Sequence, residues 1–363
     1  MYMVGMKRTR KQSIRKKRGM KRRGGGTVGT EGTVAGTEGT AGYENSESGG
    51  NIESGGRHRR TIKRKPCSPY AKTNAAIPDS CFTKDTLKEI KDAYNSTHAD
   101  DPVIGNDPVK IRNQLRKKMQ TKYNCVDSNK EELCWVNKLS GGLPSNIKKR
   151  MMKELFVPER PSEWSRKPNA WLSNIDISQV MNQYVIAYPQ FEFIGPVSID
   201  FASEKSNTCV DPELCNLSIR KLLHRKKTDI GIVFNLDTHE GPGTHWVSMF
   251  MRLSGQSPFI FYFNSTGESE PPEIIALRNK TQADYEMVTG NKLAYYSSTA
   301  EHQQSNTECG MYSLVFLVSM LTREQFSTGE PMTDPQLIAM YSDTHARRIP
   351  DSTIEQFRHI YFR

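Results

Sequence analysis

The longest apolar run of the chain, residues 311–321, is separated by Gly310 alone from the polar, turn-forming stretch HQQSNTEC, so chain character changes at Cys309. The run contains two serines and is shorter than the roughly 20 apolar residues that a membrane-spanning helix needs. An apolar segment of this length is instead typical of a helix buried in a protein core. The sequence therefore predicts a buried helix that begins close to Cys309.

Several β-rich runs precede this helix. The runs FEFIGPVSIDF, DIGIVFNLD, HWVSMFMRL, PFIFYFNS and KLAYYSST combine β-branched and aromatic residues and are separated by turn sequences such as THEGPGT. Upstream, KPNAWLSNIDISQVMNQYV predicts a turn and then an amphipathic helix with Ile175, Val180, Met181 and Tyr184 as its apolar positions. Strands in the middle and helices at both ends favour an α+β domain, which we assign to residues 156–363.

The first 155 residues divide into two segments of different composition. Residues 1–65 carry 17 Lys/Arg and 5 Glu with long Gly/Thr/Glu stretches. Such a composition buries too little apolar surface to offset the entropy of ordering, so we expect a disordered, basic, Gly-rich tail. Residues 66–155 contain two helix candidates, TKDTLKEIKDAYN and DPVKIRNQLRKKMQTKY, the first with a threonine cap. They predict a small helical module.

The net charge of +11 belongs to the tail, since the remaining residues are close to neutral. Its basic runs, residues 7–23 and 57–65, fit nucleic-acid binding or a nuclear-import signal. A solvated tail with weak electrostatic affinity is the alternative. The Gly-Gly pairs at residues 49–50, 55–56 and 141–142 also allow two interpretations, as flexible linkers or as sites of self-cleavage.

The cysteines and the N-terminal residues indicate the cellular compartment and the kinds of site that the chain can hold. Seven cysteines are an odd number with spacings unlike those of a disulfide framework, which predicts a reducing compartment. The pairs Cys125/Cys134 and Cys209/Cys215 lack CxxC spacing and no HxxxH motif accompanies them, so we expect no metal. No apolar core follows the N-terminal charges, so the sequence predicts neither a secretory signal nor a membrane partner.

Four polar residues have the chemistry of thiol hydrolysis, which needs a thiolate, an imidazole, a group that orients the imidazole, and donors for the oxyanion. Cys309 stands at the predicted helix start, where backbone N–H groups and the helix dipole favour an anion. His245 begins one predicted strand and Asn264 ends the next, so antiparallel pairing brings both to one sheet edge. Gln303, six residues before Cys309, offers a neutral donor for an oxyanion.

Each of these residues also has a simpler explanation. A cysteine before an apolar helix is often only a buried hydrophobe, and a histidine beside a tryptophan is often a packing or surface residue. An asparagine at a strand end is frequently a turn residue. The joint order and placement of the four residues favour the catalytic interpretation.

The combined motifs GPGTHWVSMF, FIFYFNS and HQQSNTECG resemble those of the cysteine peptidases of clan CE. These peptidases process SUMO-like modifiers, and their viral relatives include the adenovirus proteinase and the polyprotein-processing proteases of large DNA viruses. The family pattern is His-Trp, an Asp or Asn 19 residues on, and Gln-x5-Cys-Gly, and AWLSNIDI is similar to the family's opening segment. The resemblance covers residues 161–321 and nothing comparable covers the first 150. It implies a papain-like, adenovirus-proteinase-like core with a central mixed sheet flanked by helices.

For individual residues, the resemblance implies that Cys309 is the nucleophile, His245 the general base and then acid, and Asn264 the orienting group of a Cys-His-Asn triad. Gln303 would donate to the oxyanion. Asn264 is a departure, because the modifier-processing enzymes usually have Asp there. A neutral amide orients the imidazole but does not stabilise imidazolium by charge.

Two tryptophans match substrate-binding positions of the family. Trp171 and Trp246 would flank a narrow tunnel, in which two indole faces leave room for a backbone without side chains and so select Gly-Gly by exclusion. Both also fit simple core packing.

The resemblance implies a thiol endopeptidase of a large DNA virus that cuts structural precursors after Gly-Gly-type sites during virion maturation. It needs no cofactor. Its expected partners are protein substrates and, through the tail, nucleic acid. Its expected localisation is the virion and host cytoplasm, and the basic tail would also allow entry into the nucleus. Two alternatives stay open: a deSUMOylase or deubiquitinase acting on host modifiers, and a non-catalytic, nucleic-acid-associated virion protein.

Overall fold

The computed structural model describes residues 65–205, 207–342 and 348–363. The predicted tail lies outside these ranges except for Lys65, and so do its basic runs and the Gly-Gly pairs at residues 49–50 and 55–56. The described residues fall in one compact unit, so a domain boundary between residues 155 and 156 stays a prediction. Within these ranges, every helix is either too short or too polar to span a bilayer.

The segment before residue 156 is helical and packs around its own apolar cluster, in which Phe82, Tyr94 and Trp135 are fully buried. Thr83 caps the second helix, since its side chain accepts a hydrogen bond from the N–H of Thr86. The helices are α1 (Pro69–Asn74), α2 (Lys84–Thr97), α3 (Pro108–Tyr123), α4 (Glu131–Lys138) and α5 (Ser145–Glu154), with a 3₁₀ turn at Leu139–Gly141.

The remainder is built on a mixed five-stranded sheet. Its strands are β1 (Phe191–Ser198), β4 (Asp229–Asn235), β5 (Trp246–Arg252), β6 (Phe259–Phe263) and β7 (Ala294–Ser297), in that spatial order. The central pairings, β4 with β5 and β5 with β6, are antiparallel, whereas both outer pairings are parallel. A separate two-stranded ribbon consists of β2 (Glu204–Lys205) and β3 (Thr208–Cys209).

Helices cover both faces of the sheet. Side chains alternate along each strand, so Phe250 of β5 packs towards α10 (Cys309–Thr322) and α6 (Asn174–Ala187), whereas Met249 and Met251 pack towards α8 (Ile219–His224) and α9 (Pro272–Thr289). This arrangement matches the predicted α+β architecture. The helices are α6 (Asn174–Ala187), α7 (Pro212–Cys215), α8 (Ile219–His224), α9 (Pro272–Thr289), α10 (Cys309–Thr322), α11 (Asp334–Ser342), α12 (Asp351–Glu355) and α13 (Arg358–Tyr361), with a 3₁₀ turn at Ser162–Ser165.

The expectation that the cysteines are free thiols is wrong for six of the seven. The disulfides are Cys67–Cys81, Cys125–Cys134 and Cys209–Cys215, with Cα atoms 5.0, 5.8 and 6.3 Å apart. Cys309 is the free cysteine. Sequence spacing failed here because turns and helix ends set which thiols meet: Cys125 follows α3 and Cys134 lies on α4. The cysteine count therefore no longer supports a reducing compartment.

Phe316 of α10 provides a test of the core beneath the sheet. Its ring is fully buried, stacks on Phe263 with centroids 4.6 Å apart and meets Phe261 edge-on at 5.1 Å. We expect Phe316→Ala to lower the free energy of unfolding in urea by about 3–5 kcal/mol. Ile175→Ala is the control, because that side chain is 62% exposed and should change stability by less than about 0.5 kcal/mol. Equal effects of the two substitutions would contradict this packing.

Candidate active site

His245 and Asn264 meet at one edge of the sheet. His245 directly precedes β5 and Asn264 directly follows β6. The antiparallel register, with Ser248 opposite Phe263, brings these two strand ends together. The imidazole Nε2 lies 2.9 Å from Asn264 Oδ1, which is the geometry that the sequence predicted for this pair.

The hydrogen bonds of Asn264 determine which nitrogen of His245 carries the proton. Asn264 is fully buried, and its Oδ1 also accepts from the backbone N–H of Thr266 at 3.1 Å and from the Thr266 hydroxyl at 2.8 Å. A backbone N–H only donates, so it fixes the amide oxygen on the side of the imidazole. Neutral His245 therefore carries its proton on Nε2. Its Nδ1 keeps a lone pair and has no hydrogen-bond partner within the described residues.

Cys309 is the first residue of α10 and is 2% exposed. The backbone N–H groups of Trp246 and Gly310 lie close enough to its thiol to lower the thiol pKa. Since Trp246 follows His245, this proximity places the thiol at the same strand end as the imidazole. Burial raises the pKa of the thiol and outweighs the backbone donors that lower it, while the nearby Glu308 adds to the increase. The helix start favours an anion as predicted, but the resting thiol stays protonated.

Gly310 allows α10 to begin this close to the sheet. A Cβ atom at this position would lie 3.2 Å from both Leu172 Cβ and Trp246 Cδ1, closer than ordinary van der Waals contact. Leu172 also accepts a hydrogen bond through its carbonyl from Trp246 Nε1 at 3.0 Å. The segment before α6, the start of β5 and the start of α10 therefore form one packed junction.

Gln303 is buried and its amide is oriented by two hydrogen bonds. Its Oε1 accepts from the Ser265 hydroxyl at 2.7 Å, and its Nε2 donates to the Ser305 carbonyl at 2.5 Å. The second hydrogen on Nε2 remains for another acceptor. The backbone N–H groups of the first turn of α10 have no acceptor inside the helix. Gln304, the next residue along the chain, is exposed.

The two tryptophans have different environments. Trp171 is 42% exposed and its Nε1 donates to the Asn306 carbonyl at 2.7 Å, so its indole lies against the loop that precedes Cys309. Trp246 is 7% exposed and belongs to the apolar cluster between the sheet and α10. Trp171 thus presents an exposed surface beside the loop that precedes Cys309, whereas Trp246 supports the junction from within.

Several residues that hold this site were not predicted from the sequence. Ser265 and Thr266 orient Gln303 and Asn264, and their position directly after Asn264 in FNST was an available signal. Glu308 forms a buried ion pair with Arg358 at 2.9 Å, 50 residues away in sequence, and no local pattern marks that arginine. In the described ranges, no group of three His, Cys, Asp or Glu side chains is placed to hold a metal ion.

Sequence similarity to known proteins identifies the family of the chain. A protein of Acanthamoeba polyphaga mimivirus that is named for thiol protease activity is 30% identical over 276 residues, which cover 72% of this chain and 85% of that protein. The chain belongs to the viral cysteine proteases. A cysteine protease of African swine fever virus is 28% identical over 207 residues, covering 54% of this chain and 70% of the relative. The version from a warthog isolate is named as a SUMO-1 cysteine protease and is 29% identical over 171 residues, 45% of this chain and 62% of the relative.

The crystal structure of the African swine fever virus protease has the same fold as this viral cysteine protease. The two match with a TM-score of 0.50 and 20% identity over 82% of this chain and 96% of that one. The predicted clan CE peptidase fold is confirmed. No protein-family model matches the chain.

The likeness also extends beyond the predicted region. Residues 156–363 are 208 of the 363 residues, so a match over 82% of the chain includes part of the helical segment. The expectation that nothing comparable covers the first 150 residues is wrong.

The raised pKa of the Cys309 thiol in this viral cysteine protease predicts how its alkylation rate depends on pH. Because burial keeps Cys309 protonated, only the thiolate that forms at higher pH reacts with iodoacetamide. We expect the alkylation rate of the resting protein, followed by mass spectrometry, to rise with pH and to reach no plateau below pH 9, the ordinary value. Cys309→Ser is the control for labelling elsewhere. A plateau near neutral pH would show instead a standing thiolate–imidazolium pair.

Proposed function

We propose that this viral cysteine protease is an endopeptidase that uses a Cys-His-Asn triad and cleaves after Gly-Gly-type sites. The hydrogen bond of 2.9 Å between His245 Nε2 and Asn264 Oδ1 carries the proposal, because it leaves Nδ1 as the base. The proximity of the Cys309 thiol to the Trp246 N–H, which lowers the thiol pKa, supports it, since it puts nucleophile and base at one strand end.

In the proposed mechanism, Nδ1 of His245 takes the thiol proton as Cys309 attacks the scissile carbonyl carbon. The oxyanion that forms receives hydrogen bonds from Gln303 Nε2 and from the Cys309 backbone N–H. The imidazolium then protonates the leaving amine, and the acyl group remains on sulfur as a thioester. Water, deprotonated by His245, hydrolyses the thioester and restores the thiol. Asn264 holds the ring throughout.

The proposed preference for Gly-Gly follows from the walls of the site. The indole of Trp171 is partly exposed and contacts the loop before Cys309 through its Nε1, and Trp246 and Leu172 lie next to Gly310. Substrate residues beside the scissile bond would therefore pass between apolar walls. The Cβ atom of a substrate residue at this place would clash with an indole ring, so glycine is selected by exclusion of larger residues.

We further propose that the substrates are viral structural precursors cut during virion maturation, with the enzyme in the virion and host cytoplasm. The basic tail would hold it on nucleic acid by counterion release, with an affinity that falls as salt rises, and would also allow nuclear entry. Removal of SUMO or ubiquitin from host proteins is a second candidate, which the name of the African swine fever virus relative, a SUMO-1 cysteine protease, favours.

Cleavage assays separate these functions. The substrates are fluorogenic peptides ending in Gly-Gly, Gly-Ala or Ala-Ala, together with SUMO and ubiquitin fusions. We expect Gly-Gly peptides to be cut, and Cys309→Ala and His245→Ala to abolish cleavage because each removes a reacting group. His224→Ala is the matched control, since that histidine is exposed on α8. Cleavage of intact modifiers alone would favour the second candidate, and no turnover of any substrate would favour a non-catalytic virion protein.

The role of Asn264 has its own test. Asn264→Ala removes the acceptor for His245 Nε2, so we expect kcat to fall by about 100-fold, within the range for losing an effective general base. Asn264→Asp keeps an oxygen in that position and also accepts from Thr266, so it should retain most activity. If kcat of Asn264→Ala equalled that of wild type, the hydrogen bond to His245 would have no part in catalysis.

A further inference from the structure

The loop between Gln303 and Cys309 carries two of the proposed reacting groups but has little structure of its own. Gln303 stands at its start and Cys309 at its end, and the residues between them form no helix or strand. A catalytic geometry must be held to within about 0.5 Å. What fixes this loop must therefore come from outside it.

At the start of the loop, the carboxylate of Asp351 binds two consecutive backbone N–H groups. Its Oδ2 accepts from Gln304 N and from Ser305 N, both at 3.1 Å. The same carboxylate accepts from the Tyr312 hydroxyl at 3.0 Å, which ties the loop to the second turn of α10. Arg348 joins it through Nη2 at 3.1 Å. One side chain from α12 thus binds both the loop and the helix that bears the nucleophile.

At the end of the loop, Arg358 binds the residue that precedes the nucleophile. Its Nε and Nη2 donate to the two carboxylate oxygens of Glu308 at 3.1 and 2.9 Å. Both side chains are nearly inaccessible, at 3% and 2% exposure. Arg358 Nη1 also donates to the Ala170 carbonyl at 2.9 Å, next to Trp171. Its guanidinium lies 4.5 Å from the Trp164 ring centroid.

We infer that Asp351 and Arg358, both from the C-terminal helices, are positioning residues for catalysis that clamp the two ends of the loop from Gln303 to Cys309. The inference rests on the proposed peptidase function. Neither side chain belongs to the triad. Asp351 fixes the backbone that follows the oxyanion donor, and Arg358 fixes the residue before the thiol and the main chain beside Trp171. Misplacement of these groups weakens transition-state stabilisation more than substrate binding.

Steady-state kinetics on a Gly-Gly peptide tests this inference. We expect Arg358→Met to lower kcat about 100-fold with KM changed less than 3-fold, a loss similar to that of one oxyanion donor. Arg358→Lys keeps the positive charge but not the bidentate hydrogen bond to Glu308, so it should recover part of the lost kcat. Asp351→Asn replaces one accepting oxygen by a donor. It should lower kcat about 10-fold, a loss that corresponds to the net free energy of about one backbone hydrogen bond.

Arg252→Met is the matched control for removing a buried arginine. Arg252 is 3% exposed and pairs with Asp229 at 2.7 Å, but it contacts the carbonyl of Met320. That residue lies about 16 Å along α10 from Cys309 at 1.5 Å per residue. This variant should lose stability and keep kcat per folded molecule. Equal loss of kcat in Arg252→Met and Arg358→Met, or wild-type kcat in Arg358→Met and Asp351→Asn, would overturn the inference.

Hydrogen–deuterium exchange provides a readout that needs no substrate. Peptides covering residues 303–309 should exchange faster in Asp351→Asn and Arg358→Met than in wild type, and at the wild-type rate in Arg252→Met. If wild type cleaves nothing, the proposed function fails while exchange still tests the clamp. If wild type cleaves and exchange in the loop is unchanged, the clamp fails alone. Should Arg358→Met not fold, Asp351→Asn decides both measurements, since Asp351 is partly exposed.

Discussion

The site depends on the burial of α10 against the sheet. Twelve of the 14 residues of this helix are buried, so its position leaves little freedom. Phe316 packs on Phe263, the residue before Asn264, and Gly310 packs on Trp246, the residue after His245. One helix therefore fixes both strand ends that carry the imidazole and its partner, and its own first residue is the thiol. The pairing of β5 with β6 brings His245 and Asn264 together, and apolar packing of α10 adds the thiol to them.

The same burial determines the electrostatics of the site. Removal of water raises the pKa of the Cys309 thiol, and the residue that orients His245 is a neutral amide rather than a carboxylate. A resting site with few unpaired charges costs less desolvation energy than a standing ion pair. The carboxylate of Glu308 is buried next to Cys309 in the chain, and the guanidinium of Arg358 pairs with it.

The helical segment is part of this arrangement rather than an appendage. Val157 N–H donates to the Pro66 carbonyl at 2.9 Å, and Gln183 of α6 donates to the Lys153 carbonyl at 3.1 Å. Disulfides Cys67–Cys81 and Cys125–Cys134 staple the segment internally. Its inclusion in the match to the African swine fever virus protease agrees with these contacts. The helix that begins next to Trp171 is thus held from both sides.

The sequence alone determined the elements and the order of the site. Hydrophobic periodicity predicted α2, α6 and α10 and the main strands, and the His-Trp, Asn and Gln-x5-Cys-Gly spacing indicated the four polar residues. The periodicity depends on neighbours within a few positions, and the motifs depend on fixed spacings along the chain, so both can be found in one sequence. Tertiary structure alone decided the rest. It paired six cysteines, separated exposed Trp171 from buried Trp246, raised the thiol pKa by burial, and brought Asp351 and Arg358 onto the loop from Gln303 to Cys309. Burial and long-range contacts depend on how distant segments pack, which no local pattern records.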